Sequence, residues 1–279
     1  MTINPVYNRE MKVSSRSIRL PLILAVFNLI LAAFALASMA ATVNQARSDA
    51  QIDYAAFLVI FRYVATIEFA LVLFIMPSLT AGSISGERER GTLDLMLTTR
   101  LTPARIVFGK LMTSMSNVGL VLISSLPVLF LVFVYGGVTV GDILILMVSF
   151  VTVALITASI GLAASSFCRR SPVSTAVSYA CVLLLTGGTL GICVLAYNLG
   201  GTAGKWLYIL LANPAATFYP AVCSMTGNRA VIDELAGRLG TTAALTSGAW
   251  FVLGTAVQIL ISGGLIALAV RNLYPKKKA

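Results

Sequence analysis

The chain has 279 residues, of which 58% are hydrophobic and only 11% charged, against roughly 25% charged in an average soluble domain. So few charges cannot cover a water-soluble domain of this size, and the absence of histidine removes imidazole catalysis, metal ligation and proton relay together. A net charge of +10 would suit nucleic acid, but the cations stand in short segments between long apolar blocks, the pattern of a membrane protein.

Residues 1–19 read as an amphipathic helix on the membrane surface. Asn4 can cap it and Pro5 suits its first turn. Arg9, Lys12, Arg16 and Arg19 share one face, with Tyr7, Met11 and Ile18 roughly opposite. The same residues would also serve as a basic flank that only orients the first span. Six apolar stretches then come at 20–46, 54–82, 111–141, 143–168, 171–199 and 244–270. Each exceeds the roughly 20 residues that span a bilayer core. The first is too long for the apolar region of a signal peptide, so it is expected to stay as a span.

The expected fold is an all-α membrane protein of six spans in a single transmembrane domain. Cation placement sets its orientation. With the N-terminus inside, the inner segments hold Arg9, Lys12, Arg16, Arg19, Arg88, Arg90, Arg100, Arg105, Lys110, Arg169, Arg170, Arg271, Lys276, Lys277 and Lys278. The outer segments hold only Arg47, Lys205, Arg229 and Arg238. Both termini are therefore predicted on the cytoplasmic side.

Between spans two and three lies Ser85 to Arg105, SGERERGTLDLMLTTRLTPAR. Glu87 and Glu89 suit a helix N-terminus. Glu87, Arg90 and Asp94 fall at helical pair spacing. Leu93, Met96, Leu97 and Leu101 form one apolar face. Thr102-Pro103 starts a new helix. The segment reads as a short cytoplasmic helix whose apolar face is covered by membrane, its own bundle or another protein. Residues 200–243 carry aromatics and prolines, and either re-enter the membrane or fold as an outer loop; Asn213-Pro214 is a candidate cap within them.

Arg62 and Glu68 are the charges inside span two. They lie about 240° apart around a helix and do not pair directly. Either Arg62 snorkels from near the outer end, and Glu68 faces a polar path or pairs with another helix, or both belong to a translocation path. Small residues around Gly161 in span four suggest close helix contact. Gly187, Gly188 and Gly191 in span five allow a bend. The four cysteines form no CxxC pair, so neither a zinc site nor a disulfide framework is expected.

Two segments carry a family likeness. NPVYNREMK (Asn4 to Lys12) and SGERERGTLDLMLTTRLTPARIVFGKL (Ser85 to Leu111), with the weaker NPAATFYP (Asn213 to Pro220), resemble export permeases of the ABC type-two class. The resemblance implies a transmembrane subunit of an ATP-driven exporter, paired with a second permease chain and with two nucleotide-binding ATPase subunits. The family's coupling helix would map onto about Gly86 to Thr99. Glu87, Arg88, Arg90, Leu93, Met96 and Leu97 would meet the ATPase there, beside a connecting helix at the N-terminus. The expected setting is a bacterial cytoplasmic membrane.

No GxxxxGK[ST] loop occurs; Gly109-Lys110 and Gly204-Lys205 are followed by Leu111 and Trp206. ATP and magnesium are therefore expected on the partner, with no cofactor or metal here and no catalytic residue. The alternatives are an ion-gradient-driven transporter or channel, or a permease-like regulatory subunit. The scarcity of intramembrane charge and of internal repeats weighs against the first.

Overall fold

A computed structural model describes residues 5–49, 54–93, 96, 102–134, 139–200, 204–227 and 248–274. The Asn4 cap, Leu97, Leu101, residues 228–247 and the lysines at 276–278 lie outside the described residues. Every described element is helical. Six helices are long and apolar enough to cross a membrane, which makes this a multi-pass membrane protein.

Helix α1 (Pro5–Arg16) precedes the first span, α2 (Arg19–Asp49). The second span, α3 (Tyr54–Thr80), leads through a tight turn into α4 (Ser85–Glu89). The third, α5 (Pro103–Val134), opens at the predicted first-turn proline. The fourth, α6 (Val140–Phe167), begins with a capping box. Thr139 accepts from Asp142 N while the Asp142 carboxylate accepts from Thr139 N. The sequence places the third span through residue 141, but Gly141 belongs to the fourth helix. A Thr-x-x-Asp box inside an apolar run is a weaker signal than an intervening charge.

The fifth span is not one regular helix. It runs as α7 (Ser171–Leu183), a π turn (Leu184–Gly188) and α8 (Thr189–Gly200). A 3-10 helix (Gly204–Ala212) and α9 (Pro214–Met225) then fold back against the bundle, and α10 (Gly248–Leu273) is the sixth span.

The back-folded pair is anchored by polar groups. Asn213 caps α9 by accepting from Ala215 N at 2.9 Å. Its amide donates to Thr186 O at 2.8 Å and Thr189 Oγ1 at 2.7 Å. One side chain thus joins the hairpin to the π turn, a site where helices bend. Gln258 of α10 donates to Thr217 at 3.0 Å, and Trp250 to Ala216 O at 3.2 Å. Phe218 stacks on Phe69 of α3 at 4.4 Å, inside the main apolar core.

Helix α6 forms the middle of the bundle, with its second half almost entirely buried. Gly161 meets α3 so closely that an added Cβ would lie 1.9 Å from Thr80 Oγ1 and 3.3 Å from the Ala81 backbone nitrogen. Small residues at such contacts let membrane helices approach. Gly161→Ala is therefore expected to destabilise by roughly 1–3 kcal/mol through overpacking. Gly191→Ala, whose Cβ would enter open space, should melt like wild type in detergent. Asn213→Ala should lower the melting temperature too, and raise hydrogen exchange across 184–200, because it removes the cap and both bonds to the π turn.

Candidate functional site

Helix α3 does not run straight into the elbow. Thr80 donates its hydroxyl to Met76 O at 2.8 Å, and Ala81 N bonds Pro77 O at 2.8 Å. The chain then turns. The amides of Ile84 and Ser85 both donate to Ser165 Oγ of α6 at 2.9 Å. Ser174 of α7 donates to Ala81 O at 2.6 Å. Side chains of two neighbouring spans thus satisfy backbone groups that the break in the helix exposes.

Arg88 fixes the short helix from the other side. Its guanidinium donates to Cys168 O at 2.8 Å and Ser166 O at 3.1 Å, in the turn joining α6 to α7. Asn272, near the end of α10, donates to the same Ser166 carbonyl at 2.7 Å. Glu89 is exposed, yet accepts from Ser171 N at 3.1 Å and Ser171 Oγ at 2.8 Å, which caps the start of α7. The ends of α3, α6, α7 and α10 therefore meet at one end of the bundle, around α4. Gly91, at φ +68°, closes the short helix in a left-handed conformation suited to glycine.

The third attachment is ionic. Lys110 of α5 is 3% exposed and lies between Glu10 of α1, at 3.0 Å, and Glu87 of α4, at 3.1 Å. Helix α1 adds Tyr7 to Ser116 at 3.2 Å and Ser14 to Asn117 at 3.4 Å. Its packing face is therefore Val6, Tyr7, Glu10 and Ser14. Within α1 the exposed Arg9, Lys12 and Arg16 stand opposite Tyr7 and Met11, which are half-buried, with Tyr7 turned inward to α5; Ile18 lies beyond the end of α1 and is 82% exposed.

The six residues expected at the elbow separate clearly. Glu87 and Arg88 are half-buried anchors, and Arg90 is exposed. Leu93 is 3% exposed in the main core, and Met96 packs with Val6 and Ile106. Leu97 lies outside the described residues. The expectation that this apolar face meets a second protein is corrected at Leu93 and Met96: the chain itself covers both. Helical periodicity defines the face but not its neighbour.

Of the two charges in α3, Glu68 is fully buried and accepts a hydrogen bond from Ser125 Oγ of α5. Its other oxygen has no partner among the described residues. It ties α3 to α5 across the apolar core, which agrees with the pairing alternative for Glu68. Arg62 is half-buried, 5.6 Å over Tyr63, and lies against Tyr219 and Cys223 of α9. None of Glu10, Ser165, Ser171, Asn272 and Lys110 is a site residue in the sequence reading. Lys110 carried the clearest signal, as the one charge set into the apolar run after Arg105.

Among the described residues no group of three or more potential metal ligands occurs. Six candidate spans define a polytopic membrane protein. Residues 5–270 match the model of the ABC-2 family transporter protein family. The chain belongs to that family and is a permease of the ABC type. A comparison with curated proteins finds no match.

Replacing Lys110 with Met is expected to release α1, because two carboxylates would then face each other without a cation. Loss of one partner from a buried ion pair costs about 3–5 kcal/mol. Limited proteolysis should cut the variant within residues 5–16 at least tenfold faster than wild type. Cleavage at an equal rate would show that the cation holds nothing there.

Proposed function

We propose that this chain is the membrane subunit of an ATP-driven exporter, moving a substrate outward by alternating access while a separate ATPase subunit supplies the energy. The working unit pairs it with a second permease chain, identical or different, and with two nucleotide-binding subunits. ATP and magnesium act on those partners, and this chain catalyses no reaction. The α1–α4 end of the bundle faces the cytoplasm of a bacterial cell, as its cations favour.

The observation that supports this most is the clamped elbow in a chain of the ABC-2 family. Helix α4 is hydrogen-bonded to the α6–α7 turn through Arg88 and to α7 through Glu89, and ion-paired to α5 through Glu87. A push on its exposed side, at Glu89, Arg90 and Gly91, is passed directly to three spans. The nucleotide state of the partner then biases which bundle arrangement is populated. Because Leu93 is held in the core, docking rests on the polar rim of the elbow. Leu93→Asp would bury a charge and report on folding rather than on docking.

The tagged chain purified from its native membrane is expected to carry a nucleotide-binding subunit in near-equal amount; recovery without any such subunit, in mild detergent, would overturn the reading. In the complex, Arg88→Ala should leave the partner bound but abolish the change in hydrogen exchange across 171–200 that ATP addition produces in wild type. A variant that responds to ATP like wild type would remove Arg88 from the coupling route.

A further inference from the structure

We propose that the cleft between α1 and the elbow binds the phosphate of a membrane phospholipid, with Arg9 and Arg90 as its cationic ligands. This goes beyond the exporter reading and does not rest on it, since the site is formed by this chain alone and is tested on the chain without an ATPase.

The cleft has a volume of about 370 Å³ and is walled by α1, the last turn of α3, the α3–α4 turn, α4 and the start of α5. Three cations and two carboxylates line it: Arg9, Arg90 and Lys110 with Glu10 and Glu87. Lys110 is paired with both carboxylates, so the cations left for a ligand are Arg9 and Arg90, and the three cations and two carboxylates of the lining leave it one positive charge in excess. Glu89, the acid nearest Arg90 in sequence, has both oxygens engaged by Ser171. Among the described residues no hydrogen bond or ion pair engages the guanidinium of Arg9 or Arg90, and both are exposed. Two free forks thus open on one cleft, and forks of this kind bind phosphate oxygens in bidentate fashion.

The surroundings favour a lipid over a soluble anion. One wall is the final turn of a helix long and apolar enough to span, including Leu79, so the cleft adjoins apolar surface. Val13 also lines it, is 63% exposed, and offers an apolar rim to the glycerol and upper acyl chain. The floor adds a second cue. Glu87 Oε2 is buried and lacks a donor among the described residues, and a headgroup bearing a hydroxyl would bring one. Phosphatidylglycerol combines the phosphate with that hydroxyl.

Native mass spectrometry of the detergent-purified chain tests this with added phosphatidylglycerol, and with inorganic phosphate as a competitor. One retained phosphatidylglycerol per chain is expected. Its occupancy should fall about tenfold in Arg90→Gln and further in Arg9→Gln/Arg90→Gln, since each charged hydrogen bond lost is worth about a decade in affinity. Arg271→Gln, at an exposed cation outside the cleft, should bind as wild type does. Melting temperatures of the variants in lipid-free detergent should match wild type, because neither guanidinium bonds the chain. Equal occupancy in wild type and the double variant would overturn the proposal. So would displacement of the lipid by inorganic phosphate at a similar concentration, which would make the cleft a soluble-anion site.

Discussion

A lysine at 3% exposure near the start of a membrane-spanning helix imposes the strongest constraint in this molecule. Removing an ammonium from water is unfavourable by several kcal/mol even after relaxation, and only close, well-placed counter-charges offset it. Lys110 has two, from Glu10 and Glu87. These carboxylates belong to elements far apart in sequence, α1 and α4. The geometry that keeps Lys110 satisfied therefore also fixes α1 beside the elbow and the elbow beside α5. None of the three can move alone without exposing a buried charge. A rigid unit of this kind transmits displacement rather than absorbing it.

The polar contacts at the elbow extend that unit. A broken helix near a membrane leaves amides and carbonyls that lipid cannot satisfy. Here Ser165 and Ser174 take up those of the α3–α4 turn, and Arg88 and Asn272 take up those of the α6–α7 turn. Ser165, one of the small residues of α6, thus does a second job as an acceptor, while Ser174 of α7 donates. The Gly161–Thr80 contact needs the same small residues. Close approach and polar satisfaction support each other, and a bulky substitution in this region disturbs both. The far half of the fifth span has a different character. Its π turn is held to the α9 hairpin by Asn213 alone among the described side-chain amides, and Leu183, Leu184 and Leu195 are exposed.

Much of this was legible in the sequence, for identifiable reasons. Lipid demands long uninterrupted apolar runs, so the number of spans could be read directly. Thr102-Pro103 forced a helix start, and Ser85–Arg105 carried enough charge to be excluded from a span. What pairs with what was less visible. Leu93 and Met96 lie on one apolar face in any helical reading, but periodicity does not say whether the bundle or another protein covers that face. For Glu68 the sequence leaves a polar path and a pairing with another helix both open, because its partner in the structure, Ser125, is an ordinary serine 57 positions away. The π turn and the Thr139 box were hidden for the opposite reason. Their local signals, a glycine pair and a threonine, are too common inside apolar helices to mark a break.

Helix α3 shows how these pieces combine. It is fixed at four levels along its length. Arg62 lies against α9, Phe69 stacks on Phe218, Glu68 takes the Ser125 hydroxyl, and Thr80 seats on Gly161. Two of these contacts lead to the back-folded hairpin, one to α5 and one to α6. The hairpin in turn reaches the π turn through Asn213. A displacement of the elbow therefore has a continuous packed route through α3 to the one irregular turn in the fifth span. That route uses contacts of modest individual strength, stacking and single hydrogen bonds, rather than further buried ion pairs. The stacked rings and the Asn213 bonds can be exchanged between two bundle arrangements without stranding a charge in the membrane, whereas the buried Glu68 and the Lys110 triplet cannot. The buried cation thus stands where three elements far apart in sequence meet, and charge holds them there as one unit.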